Sequence, residues 1–200
     1  MSRLLKRFLS IIAVAAALSG CAGLPGFSTP NDTFALTSPP AAPAVPAAQR
    51  RQLLIQEPSA LKLLDSEQIV VRVSDSEVQY LTNSQWNDRL PRIVESKLIE
   101  AFENTGQLGG VGRSGDGLAI DFQLLTNIRS FEVLAYGSPR ANVELSLRLI
   151  NDRDGTVIAQ RVFTGSAPVA GTGNETYVRS LDAAFNSIVP EIIAWTMQSI

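Results

Sequence analysis

From Asn142 to Leu149 the side chains alternate without a break, with Val143, Leu145, Leu147 and Leu149 on one parity and Asn142, Glu144, Ser146 and Arg148 on the other. A period of two belongs to a pleated strand; wound into a helix, the same residues would scatter their apolar set around the axis. Asn151-Asp152-Arg153-Asp154-Gly155 has hairpin-loop composition, and Val157 to Gly165 reads as the returning strand. Upstream, Ile120, Phe122 and Leu124 alternate with Asp121 and Gln123, the strand extends through Ile128 to Val133, and Gly137-Ser138-Pro139 turns the chain. The pattern predicts three long antiparallel strands in a meander, apolar on one face.

Two segments have the spacing to cover that face. Leu90, Ile93, Val94, Leu98, Ala101 and Phe102 recur every three or four residues, with Arg92, Glu95, Lys97, Glu100 and Glu103 between them. Asp88 as cap would set Pro91 at the third helical position, where its missing donor costs little, and Gly106 ends the helix. The second helix runs from Glu175 to Ser199, with Tyr177, Leu181, Ala184, Phe185, Ile188, Ile192 and Trp195 on one side and Pro190 as an expected kink. Shorter strands are expected at Leu53-Leu54-Ile55, at Gln68 to Ser74 and at Glu77 to Leu81, the last two joined by a tight turn at Asp75-Ser76. The fold class implied is α+β: a two-layer domain, mainly antiparallel sheet, with two amphipathic helices packed on one face.

The N-terminus carries a different signal. Basic Arg3, Lys6 and Arg7 precede the apolar run Phe8 to Leu18, and Leu18-Ser19-Gly20-Cys21 comes next as a bacterial lipoprotein cleavage motif. The motif makes residues 1–20 a cleaved signal peptide and Cys21 the lipid attachment residue, bearing a diacylglycerol thioether and an acylated amine. Ala22, in place of an aspartate, directs such a lipoprotein to the outer membrane, facing the periplasm. Residues 21–50 are expected to be a lipidated tether with a short strand at Thr33-Phe34-Ala35-Leu36 and a Pro/Ala-rich loop from Ser38 to Pro46, and residues 51–200 the α+β domain.

Composition narrows the chemistry. There is no histidine, and lipid consumes the single cysteine, which removes disulfides, His- or Cys-based metal sites, and Ser-His-Asp or Cys-His catalysis. The signal holds three of the 17 basic residues and none of the 19 acidic ones, so the chain from Cys21 onward carries a net charge of about −5 and no polybasic patch for nucleic acid. Asp152 and Asp154 suit turn chemistry, and Asp121 and Glu144 a polar strand face. The glycine-rich run Gly106 to Gly117 lacks the lysine and succeeding helix of a phosphate loop. The expectation is a non-enzymatic protein with no cofactor and no metal. Trp86 and Trp195 are expected to close ends of the core, and the segment around Tyr80 and Trp86 is the candidate partner-docking surface.

Taken in order, the lipoprotein motif, the early Phe34-Ala35-Leu36 strand, the Pro/Ala stretch, Ile69-Val70-Val71-Arg72, Tyr80 with Trp86, the helix Leu90-Pro91 to Phe102, a strand pair containing Phe131 and a last helix with Trp195 resemble the ABC-type transport auxiliary lipoprotein family, which includes the paraquat-inducible protein C-like lipoproteins. The resemblance spans the chain from about Phe34 onward. It implies an accessory component of a mammalian-cell-entry (MCE) type system that moves phospholipid or other hydrophobic molecules between the inner and outer membranes. It also implies an MCE-domain, periplasm-spanning partner with its ABC transporter, and leaves a homo-oligomer open. Only Cys21 carries over with a chemical role; Tyr80 and Trp86 match recurrent positions. A periplasm-facing regulator of a peptidoglycan synthase would share the anchor and the small α+β domain, and is the competing reading. On the anchor reading, Cys21→Ser yields a protein that bears no lipid and no longer fractionates with membranes; unchanged recovery in the outer membrane, assayed by density-gradient fractionation, overturns it.

Overall fold

The expected meander is present in a computed structural model of the chain, which describes residues 30–40, 48–117 and 119–200. Cys21, the signal segment and residues 41–47 of the Pro/Ala stretch lie outside the described residues. In chain order the strands are β1 (Asp32–Phe34), β2 (Ala48–Ile55), β3 (Ser59–Ala60), β4 (Gln68–Arg72), β5 (Val78–Trp86), β6 (Leu108–Gly112), β7 (Phe122–Leu134), β8 (Arg140–Asn151) and β9 (Val157–Pro168). Helix α1 (Leu90–Glu103) comes after β5, and α2 (Asn174–Ser199) closes the chain.

All nine strands form one open, mixed sheet. The long pairings, β7 with β8 and β8 with β9, are antiparallel as the alternation predicts. The opposite edge of β7 is shared by three short strands lying along it in turn: β2 against Phe122–Leu124, β3 against Asn127 and Ile128, and β4 against Glu132–Leu134, each parallel to it. The pairs β2–β6 and β1–β5 are parallel too, and β4–β5 is the hairpin expected around Asp75-Ser76. The parallel character of this half goes beyond the sequence pattern: a period of two identifies a strand and says nothing about its neighbour's direction.

Both helices supply side chains to a single core on the apolar face. Phe122, Leu124, Ile128, Phe131 and Val133 of β7 and Val143, Leu145, Leu147 and Leu149 of β8 are all buried there. Trp86 meets Phe131 edge-on at 5.9 Å, and Phe131 lies 6.1 Å from Phe185 of α2, so three rings tie β5, β7 and the last helix together. Trp195 packs edge-on to Phe163 at 5.6 Å, closing the far end. The cap of α1 is Arg89, one residue later than Asp88, which places Pro91 at the second helical position; the Asp88 carboxylate instead accepts from the Arg89 N–H at 2.7 Å. Gly106 stops the helix as expected, at φ +62°, its N–H donating to the Glu103 carbonyl. The helical pattern of α2 runs unbroken through Pro190.

The compact unit begins at Asn31, ahead of the Pro/Ala stretch. Phe34 pairs with Trp86, Leu36 is 3% exposed, and the Asp182 carboxylate of α2 accepts both the Thr37 N–H and its hydroxyl at 2.8 Å. Glu100 accepts from Lys97 at 2.8 Å, and this bond, with the nearby Ser38 hydroxyl, holds its carboxyl below the ordinary carboxylate value. The Pro/Ala stretch therefore joins two strands that are each fixed to the sheet.

Gly165 marks the closest approach of α2 to the sheet: a Cβ there would lie 2.1 Å from the Ala184 carbonyl oxygen and 2.9 Å from the Ser187 hydroxyl. Gly165→Ala should destabilise the domain by about 2–3 kcal/mol, because a whole helix must shift to admit one methyl. Urea unfolding checks this, and an unchanged midpoint contradicts the packing described.

Candidate functional site

A two-layer fold leaves one sheet face without a helix. In β7, β8 and β9 that face carries the parity opposite to the core: Asn127 and Arg129, then Glu144, Ser146 and Arg148, then Gln160 and Val162. A groove of about 400 Å³ crosses it, lined among others by Gln56, Ser59, Asn127, Arg129, Ser146 and Arg148. Asn127 Nδ2 donates to the Ser59 hydroxyl at 2.9 Å, and Arg129 pairs with Glu144 at 3.2 Å. Toward β4, Arg72 clamps Glu132 side-on, donating from Nη2 at 2.9 Å and from Nε at 3.1 Å, and the Ser130 hydroxyl donates to the same carboxylate at 3.1 Å. Glu132 is thereby buried with its charge matched.

Tyr80 belongs to this open face. It stands opposite Val70, which is opposite Glu132, and Tyr80 is 42% exposed. Tyr136 lies near the same end, its hydroxyl donating to Asp75 at 2.8 Å, a bond that raises its pKa above the ordinary phenol value. Trp86, the other docking candidate, sits on the opposite face at 1% exposure, where its ring is closed to a partner. The reason is local. Tyr80 and Trp86 share parity, but the β4–β5 register shifts between Gln68 and Val70, and Asn83 takes a left-handed φ of +53°, which turns the strand over. Core closure by Trp86 holds, and Tyr80 alone of the pair is presented at the surface.

A second concavity runs along the flank of α1. It has a volume of about 420 Å³ and is lined by Glu57, Asp88, Arg92, Glu95, Ser96, Arg113 and Ser114. Glu95 is 7% exposed and makes no hydrogen bond or ion pair among the described residues. Burial pushes its carboxyl above the ordinary value of 4.5 and nearby Glu57 adds to this, while Arg113 and Arg92 oppose it. The sequence pattern alone sets Glu95 among the solvated residues of α1. Its spacing of four from Pro91, three from Leu98 and seven from Phe102 is the signal that puts it on the buried side.

Two further carboxylates have structural roles. Asp121 accepts the Gln52 N–H at 3.0 Å and ties β2 to the end of β7; Asp154 accepts the Thr156 N–H at 2.9 Å, which lowers its pKa. Among the described residues no three His, Cys, Asp or Glu side chains are grouped to hold a metal, and no helix is long and apolar enough to cross a membrane.

Comparison with known proteins places this arrangement among relatives. The family model described as ABC-type transport auxiliary lipoprotein component matches residues 34–193. The crystal structure of a protein from Xanthomonas campestris is similar at 27% identity with a TM-score of 0.76, covering 84% of this chain and 95% of that one. The structure of a hypothetical protein from Chlamydia trachomatis shares the fold at 11% identity and a TM-score of 0.53, covering 75% of this chain and 97% of that one. A protein of Bradyrhizobium diazoefficiens described as uncharacterised is 30% identical over 190 residues, 92% of this chain; the chain spans about half the length (50%) of this curated relative.

The buried carboxyl gives a pH signature. Because the folded state holds the Glu95 proton more tightly than the unfolded state does, the wild type loses stability as pH rises from the ordinary value of 4.5 through the raised one. Glu95→Gln removes that loss. At pH 7 the variant should therefore melt at a higher temperature than the wild type in a thermal scan. The gain should vanish as pH falls below the ordinary carboxylate range. A gain independent of pH, or none, contradicts the burial described.

Proposed function

The chain belongs to the ABC-type transport auxiliary lipoprotein component family, and on that premise we propose that it is an outer-membrane lipoprotein, anchored through Cys21 and facing the periplasm, that docks or caps an MCE-domain protein spanning the periplasm. The cargo of that system is phospholipid or another hydrophobic molecule passing between the two membranes. The observation that carries the reading is the family match, which runs from the last residue of β1 into α2 and so takes in β2 to β9, α1 and most of α2.

The fold suits a docking part. One face of a rigid nine-stranded sheet is free of helices and presents Tyr80, Tyr136, Arg129 and Arg148, which are the residue types that anchor protein interfaces. With Cys21 lipidated, only residues 21–31 separate the anchor from the fold, a leash of at most about 36–40 Å at about 3.3–3.6 Å per residue. Such a leash holds the domain close to its own membrane and raises its effective concentration for a partner that arrives there.

The test is a photo-crosslinking residue in place of Tyr80, with irradiation in intact cells and recovery from solubilised membranes. The expected products contain the MCE-domain protein, together with its permease and ATPase under mild detergent. Exclusive recovery of a peptidoglycan synthase overturns the transport reading in favour of an envelope-synthesis regulator.

A further inference from the structure

Glu95 is the one buried charged side chain without a partner among the described residues, since Glu132, the other buried carboxylate, is clamped by Arg72. A carboxylate that burial desolvates gains from a partner that completes its hydrogen bonds. It lines an open groove, and the groups around it are themselves incompletely engaged. Arg92 reaches Glu57 at 3.8 Å and Asp88 at 3.9 Å, beyond hydrogen-bond distance, so its N–H groups remain available on that side. The Arg113 side chain has no ion pair among the described residues, while its backbone N–H is fixed to the Asp116 carboxylate at 2.8 Å, which positions the loop beside the groove. Ser96 and Ser114 add hydroxyls to the lining.

We propose that this groove binds a small zwitterion in which a protonated amine lies a few bonds from a phosphate or carboxylate. The ligand amine donates to Glu95 at the inner wall, with Glu57 and Asp88 adding negative potential. The anionic end lies between Arg113 and Arg92, where guanidinium groups give charge-assisted hydrogen bonds. Simpler ligands fit less well. A bare anion would leave Glu95 unpaired and be repelled by it. A bare cation would meet two guanidinium groups. A metal ion would lack a third carboxylate of suitable grouping. Opposite charges on one small molecule match both walls, and about 420 Å³ is ample for a molecule the size of phosphoethanolamine. The site stands on the charges around α1 and is independent of the transport reading.

Calorimetric titration of the purified full chain with phosphoethanolamine is the test. Saturable binding is expected, with ethanolamine alone, inorganic phosphate alone, and phosphocholine, whose quaternary nitrogen has no N–H to donate, each weaker by about tenfold or more. Glu95→Gln, which keeps the side chain's size, and Arg113→Gln, on an exposed loop, should each weaken binding by about tenfold, a loss of about 1.4 kcal/mol. Arg179→Gln on the exposed side of α2 should leave it unchanged. Cosedimentation with phosphatidylethanolamine or phosphatidylcholine vesicles separates the sources. Retention on the former that is lost in Glu95→Gln identifies a lipid headgroup, and binding of the free compound without vesicle preference identifies a soluble zwitterion. No saturable response to either form, or equal affinity in wild type and both variants, overturns the proposal.

Discussion

Strand β7 is the element on which everything else is aligned. Along one edge it pairs with β8 from Phe122 to Leu134, and along the other it receives β2, β3 and β4 in succession. Its backbone is therefore satisfied on both sides, and its side chains divide into a core row and an open-face row. Each layer depends on that division. The core row receives Trp86 from β5 and Phe185 from α2 through Phe131, and the open row carries Arg129 and Glu132 to the surface groove and the Arg72 clamp. A one-residue slip in β7 would exchange the two rows and expose the ring cluster.

The same strand explains how much of the fold is legible in the sequence. Alternation over 142–149 requires a strand with one buried face, and the turns at Gly137-Ser138-Pro139 and Asn151–Gly155 are short enough to force neighbours to be antiparallel. The two helices are dictated by three- and four-residue spacing, and their shared side by there being only one apolar sheet face to cover. The strands on the other edge of β7 have pairings of two or three residues, and their partners lie more than 60 residues away in sequence. Nothing local encodes such a pairing; it is fixed only when the chain has wrapped around α1. The irregular stretch at Asn83 is equally silent, because a single left-handed asparagine leaves no periodic trace, yet it decides that Trp86 faces the core while Tyr80 faces out.

Of the candidate sites, the open face is legible in the sequence and the α1 groove is not. Polar parity on β7 and β8 announces an uncovered face. Glu95 sits at the edge of the helix's apolar stripe, where a carboxylate on a helical wheel could be assigned either way, and only the packing of α1 beside the loop at Arg113 decides for burial. The position is unusual because Glu95, unlike the clamped Glu132, makes no direct hydrogen bond or ion pair among the described residues, and only Arg113 and Arg92 across the groove balance its charge.

The N-terminal strap changes how an anchor would act on the domain. If the Pro/Ala stretch were the tether, any pull from the membrane would reach the sheet at β2, beside its centre. Because Asp32–Phe34 is already paired with β5 and Thr37 is held by Asp182, a pull transmitted through Asn31 arrives instead at the β1–β5 edge, opposite β9 in the strand order. Three paired residues and two short bonds to a carboxylate resist it there, with Leu36 buried behind them. The β9 edge, where Val157, Ile158 and Val162 are exposed, lies at the other end of the strand order. The Pro/Ala stretch has a different place in the chain: it connects β1 at one margin of the sheet to β2 beside β7.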